Sequence, residues 1–89
     1  MTIIYTTQFK RDYKKIKKQH KELNKLKLLI EKLVSGEKLE PKYKDHQLAG
    51  EFKGYRDCHI EPDWILIYNK TADNLILERT GSHSELFKK

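Results

Sequence analysis

Residues 55–80 read YRDCHIEPDWILIYNKTADNLILERT. Tyr55 to Ile60 predicts a strand, and Glu61-Pro62-Asp63 predicts a tight turn after it. Trp64 to Tyr68 is an unbroken apolar run, short enough to be a buried strand. A second turn falls within Asn69–Asn74, and Leu75 to Thr80 predicts another strand, which Gly81 ends. Strands joined by such short turns pair antiparallel.

The N-terminal half has a different period. Ile3, Ile4 and Tyr5 form a short strand. Thr6 or Thr7 can cap the helix that follows, because a hydroxyl accepts an orphan backbone N–H. Phe9, Tyr13 and Ile16 recur as one apolar stripe on a helix whose other faces carry Lys14, Lys15, Lys17 and Lys18. Gln19-His20 marks a break. Leu23, Leu26, Ile30 and Leu33 make a second stripe, widened by Leu29. Ser35-Gly36 ends it, with glycine free to turn left-handed. The two stripes predict an antiparallel helix pair on one face of a sheet. Residues 37–54 are polar and basic, punctuated by Pro41, Gly50 and Gly54. They predict a loop with a short strand around His46 to Leu48. Ser82 to Phe87 has room for one helical turn. The expectation is a single α+β domain over residues 1–89. Two N-terminal helices pack on a mostly antiparallel sheet of about four strands, with a short C-terminal helical turn. The sheet face away from the helices is left partly open for chemistry.

Bulk properties narrow the function. A chain of 89 residues with 37% hydrophobic and 36% charged residues makes one domain with a thin core. The single Cys58 cannot form an internal disulfide or a paired-cysteine zinc site, which fits a reducing cytoplasm. The N-terminus lacks the layout of a secretion signal, and Trp64–Tyr68 is far too short to span a bilayer. A net charge of +6 suits a polyanion, an acidic protein partner or simple solubility.

The chemistry-bearing residues concentrate between positions 46 and 87. Cleaving RNA without a metal needs a base for the ribose 2′-hydroxyl, an acid for the leaving 5′-oxygen, and cations for the charge building on phosphorus. Histidine serves as either proton carrier near neutral pH. Arginine and lysine supply the cations, and aromatic rings can hold an unstacked base. His46, His59, His83, Asp63, Lys53, Arg56, Arg79, Trp64 and Phe87 provide all these types. Each also has a plainer reading. Trp64 opens an apolar strand and suits the core, Asp63 suits a turn, and Arg56 and Arg79 suit pairing with nearby acids. Phe87 could plug the core, and Cys58 reads as a small buried hydrophobe. His46, His59, Asp63 and His83 could also converge on zinc, although no close motif such as HExxH supports it.

The ordered set of Tyr43-Lys44-Asp45-His46, Leu48, Gly50, Lys53-Gly54-Tyr55-Arg56-Asp57, His59, Glu61-Pro62-Asp63-Trp64-Ile65-Leu66-Ile67-Tyr68, Glu78-Arg79-Thr80-Gly81, His83 and Leu86-Phe87 resembles the YafQ branch of the RelE toxins. The resemblance spans nearly the whole chain. It implies a RelE-like fold and an endoribonuclease that cuts messenger RNA in the ribosomal A site. It implies 2′-hydroxyl attack without metal or cofactor, and a cognate antitoxin that blocks the basic face. Operator DNA would be bound only through the toxin–antitoxin complex. The resemblance puts acid–base roles on His46, His59, Asp63 and His83. Within that set we read His46 as base and His83 as acid, with His59 and Asp63 tuning or positioning them, a division that rests on hydrogen-bond geometry the sequence does not give. The resemblance also matches Trp64 and Phe87 to positions linked to activity through substrate placement, and Arg56 to an arginine important in the wider RelE group. Lys53 and Arg79 join them as RNA-contact candidates because they are cations of the same stretch. Two rival functions share the fold: a non-catalytic module that binds antitoxin and operator, and a toxin that inhibits a protein target.

Overall fold

The computed structural model describes residues 1–87. Its strands are β1 (Thr2–Tyr5), β2 (His46–Gln47), β3 (Arg56–Glu61), β4 (Trp64–Lys70) and β5 (Asn74–Gly81), and its helices are α1 (Thr7–Lys18), α2 (Leu23–Ser35) and α3 (His83–Leu86). The sheet order is β1-β5-β4-β3-β2, antiparallel except where β1 runs parallel to β5. The sheet therefore has five strands where about four were expected. Two 3₁₀ turns, Pro41–Tyr43 and Gly50–Phe52, interrupt the stretch read as loop.

Local chemistry places the helix ends. Thr6 Oγ1 accepts the Phe9 N–H and starts α1. Gly36, at φ 78°, closes α2 with its N–H on the Leu33 carbonyl. The single turn of α3 forms because Ser82 and Glu85 make a reciprocal capping box. Gly81 allows this turn to fold close, since a Cβ there would sit 3.1 Å from Glu85 Oε1.

The sheet buries both faces. On one, Phe9 and Ile16 of α1 and Leu26, Leu29 and Leu33 of α2 pack on Cys58, Trp64, Leu66, Tyr68, Leu75 and Leu77. The stripe of α1 turned slightly from the expected one: Asp12 is buried and Tyr13 is 37% exposed. Asp12 has a reason to be inside. β1 pairs with β5 only as far as Leu77, and beyond it Asp12 accepts the free edge N–H of Thr80 at 3.1 Å. It also holds the Arg79 guanidinium through two hydrogen bonds of 2.7 and 3.1 Å. The other face, expected to be partly open, carries a smaller core. Ile65, Ile67 and Leu86 are buried there beneath Leu48, Phe52, Tyr55 and Phe87.

Candidate active site

Residues directly opposite in antiparallel strands share a face. His46 lies opposite Asp57, Asp57 opposite Ile67, and His59 opposite Ile65. All three therefore stand on the face turned away from the helices. The strand–turn–strand at Pro62-Asp63 and the cap of α3 bring Asp63 and His83 to the same place. The rings of His59 and His83 meet edge to face with centroids 5.2 Å apart.

Two of the histidines are held by one nitrogen each. His83 Nδ1 lies 2.7 Å from Asp63 Oδ1, which also accepts the His83 backbone N–H at 3.0 Å. A carboxylate only accepts, so Nδ1 carries the proton and Nε2 is left for a ligand. The same two bonds hold the Asp63 carboxyl below its ordinary range. His46 Nδ1 lies 2.7 Å from the Lys44 carbonyl oxygen, which again fixes the proton on Nδ1 and leaves Nε2 open. The backbone of Lys44, left-handed at φ 48°, aims that carbonyl. His59 is half-buried, and burial lowers its pKa against the opposing pull of Asp57, with His83 and Lys44 adding to the fall. It is therefore neutral at neutral pH.

Asp57 lies beneath these rings and was absent from the expected site. It is 3% exposed. His46 Nδ1 is only 2.9 Å from its Oδ1 but directs its proton to Lys44, so Oδ1 has no hydrogen-bond partner. Burial raises its pKa, and His46, His59 and His83 pull it back. The alternation along β3 was the available signal, because it puts residues 57 and 59 on one face. A carboxyl whose folded pKa is raised loses its stabilising contribution as pH rises through that value. Asp57→Asn is therefore expected to melt above wild type at neutral pH. The gap should narrow as pH falls through about 4 and close below about pH 3, where the carboxyl is protonated in both folded and unfolded chains. Melting temperatures across that range test this, and a variant that melts lower at neutral pH would contradict it.

The expected RNA-contact residues are not all brought together. Phe87 stands beside the cluster, 6.3 Å from the His83 ring and edge-on to Phe52 at 5.9 Å. Lys53 is exposed at the end of the second 3₁₀ turn, with no acidic partner among the described residues. Trp64 must be corrected: it is 0% exposed, its indole N–H donates to Thr80 Oγ1 at 2.9 Å, and it cannot touch RNA. Arg79 is engaged by Asp12 over the sheet edge. Arg56, opposite Tyr68, lies on the helix-side face, where Asp45 binds both it and the Tyr68 hydroxyl. Neither arginine is free to clamp a phosphate at the histidines. Cys58 is buried and its thiol pKa is pushed up, so it is no nucleophile. Among the described residues, no three His, Cys, Asp or Glu side chains are grouped as a metal-ligand set.

Three proton-carrying rings, two with an open Nε2 and one flanked by a phenyl group, form a site for acid–base chemistry on a polar substrate. Comparison with known proteins identifies relatives of the chain. A family model described as the bacterial toxin of type II toxin–antitoxin system, YafQ, matches residues 1–88. The mRNA interferase toxin YafQ of Escherichia coli strain K12 is 51% identical over 86 residues, which cover 96% of this chain and 94% of that protein. The crystal structure of the E. coli DinJ–YafQ complex contains a chain 51% identical to this one, with a TM-score of 0.89 and 96% of each chain covered. The crystal structure of a metal-bound toxin from Helicobacter pylori superposes with a TM-score of 0.90 at 40% identity, over 98% of this chain and 99% of that one.

Proposed function

Because the chain belongs to the YafQ family of toxins of type II toxin–antitoxin systems, we propose that it is an mRNA interferase, an endoribonuclease that stops translation by cutting messenger RNA. The observation that carries this reading is the histidine cluster, with His83 held by Asp63 and His46 held by a backbone carbonyl.

The chemistry follows from those contacts. His46 Nε2 takes the proton of the ribose 2′-hydroxyl, and the 2′-oxygen attacks the adjacent phosphorus. The P–O5′ bond breaks, and His83 Nε2–H protonates the leaving 5′-oxygen. The products are a 2′,3′-cyclic phosphate and a 5′-hydroxyl. Asp63 suits His83 to the acid role by holding Nδ1 and so aiming Nε2 at the leaving oxygen. His59, neutral between them, orients the phosphate and adds no repulsion to His83. Phe87 offers a ring face to a neighbouring base. Lys44, exposed and close enough to His59 to act on its charge, stands in for the arginines engaged elsewhere.

The substrate is messenger RNA in the ribosomal A site, and the chain acts in the cytoplasm. A cognate antitoxin binds it, and operator DNA is reached only through that complex. The basic balance of +6 favours both an RNA and an acidic protein partner. No helix is long and apolar enough to cross a membrane among the described residues.

The test is primer extension on messenger RNA after induction in living cells, paired with cleavage of a ribosome-free RNA oligonucleotide by the purified chain at high concentration, with and without excess EDTA. Codon-phased cuts and full activity in EDTA are expected. Growth arrest without cuts would point to a protein target, and neither arrest nor cuts would point to a binding module. Activity abolished by EDTA and restored by a divalent cation would overturn the metal-free mechanism.

A further inference from the structure

We propose that the cleft along the outer edge of β3 is a nucleotide subsite, seating one base of single-stranded RNA beside the reacting phosphate. The inference rests on the reading that RNA is the substrate.

β2 pairs with β3 only at Arg56 and Asp57. From Cys58 onward the outer edge of β3 has no strand partner. α2 and the 3₁₀ turn at Pro41–Tyr43 stand beside it and leave a cleft of about 390 Å³. That volume is in the lower range of small-ligand sites, roughly 300–1,000 Å³. The cleft is continuous with the cluster because His59 belongs to both. Its ring meets His83 at 5.2 Å, and the residue also lines the cleft.

The lining suits a nucleotide. Leu28, Tyr43, Ile60 and Pro62 supply apolar surface for the faces of a base. Leu28 is 51% exposed, a large apolar side chain that contributes nothing to either core. Two lysines stand at the rim. Lys25 is occupied by Glu61 at 2.9 Å. Lys42 has no acidic partner among the described residues, and its Nζ is 5.2 Å from the centre of the Tyr43 ring. An apolar slot with a free cation at its mouth binds a base by its faces and a phosphate by its charge. An acidic peptide would use the lysine but would not need the slot to open onto a catalytic histidine.

The test uses the intact chain and an RNA oligonucleotide with a 2′-deoxy residue at the scissile position, which removes the nucleophile. Lys42→Ala and Leu28→Ala are each expected to weaken binding by about fivefold. Lys42→Ala should also reduce the salt slope of the affinity by about 0.7, and Lys42→Arg should restore it. On all-ribose RNA the KM should rise by a similar factor with kcat unchanged. Cleavage by the wild type with KM and salt slope unaltered in both variants would overturn the subsite and leave the RNase reading standing. Variants that lose affinity for the antitoxin but keep it for RNA would overturn it in favour of a protein interface. Failure of the wild type to bind RNA at all would overturn both.

Discussion

His83→Ala is expected to lower the rate of RNA cleavage by about 100-fold or more, the usual contribution of a positioned general acid. The fold should not change. The His83 side chain is 47% exposed, α3 is capped by Ser82 and Glu85, and the backbone N–H of residue 83 keeps its bond to Asp63 in the alanine variant. Substitutions at such exposed positions usually shift stability by less than about 0.5 kcal/mol. Antitoxin and RNA affinities should remain within about twofold of wild type, since the ring is needed for proton transfer and not for charge pairing with a partner. Single-turnover cleavage beside a thermal melt separates these effects. A variant that still cuts within a few-fold of wild type would remove His83 from the chemistry and leave His59 and His46 as the proton carriers.

Trp64→Ala is expected to lower activity for a different reason, by destabilising the fold. The indole is fully buried beneath the helices, and its N–H satisfies Thr80, whose hydroxyl donates in turn to the Ile65 carbonyl. Truncating a buried tryptophan costs about 3–5 kcal/mol. A domain of this size has only ~5–15 kcal/mol in total, and each kcal/mol moves its Tm by about 4–8 °C. Trp64→Phe fills most of the space and loses one hydrogen bond, so it should cost about 1 kcal/mol and leave cleavage per folded molecule nearly intact. Denaturant titration with activity normalised to the folded fraction decides between packing and substrate contact. An alanine variant as stable as wild type but inactive would return Trp64 to the RNA.

These two residues show how far a linear reading carries. His83 was legible as one of three histidines in a stretch rich in chemistry-bearing residues and through the motif Glu78-Arg79-Thr80-Gly81-x-His83. Trp64 was legible as the first residue of an apolar strand, and that plain reading was the correct one. The family resemblance had suggested an RNA contact, which burial excludes. Arg56 and Arg79 were ambiguous for a related reason. Whether an arginine is free depends on which acid stands beside it in space. The acids are Asp45, eleven residues from Arg56, and Asp12, sixty-seven residues from Arg79.

The sequence by itself determined the elements, their order and most of their ends. Turn residues, caps and hydrophobic period act over a few positions, and those interactions are the same in any context. It also placed His46, His59, Asp63 and His83 as a set, through the ordered motif they share with a known family. Only the tertiary structure decided what each side chain is free to do. Strand register put Asp57 under the histidines, beside His46, and turned Arg56 to the opposite face. The end of β1 at Tyr5 left an edge of β5 that Asp12 had to satisfy, and Arg79 followed it. Burial, pairing and proton affinity depend on neighbours brought together from distant parts of the chain, and no local pattern encodes them.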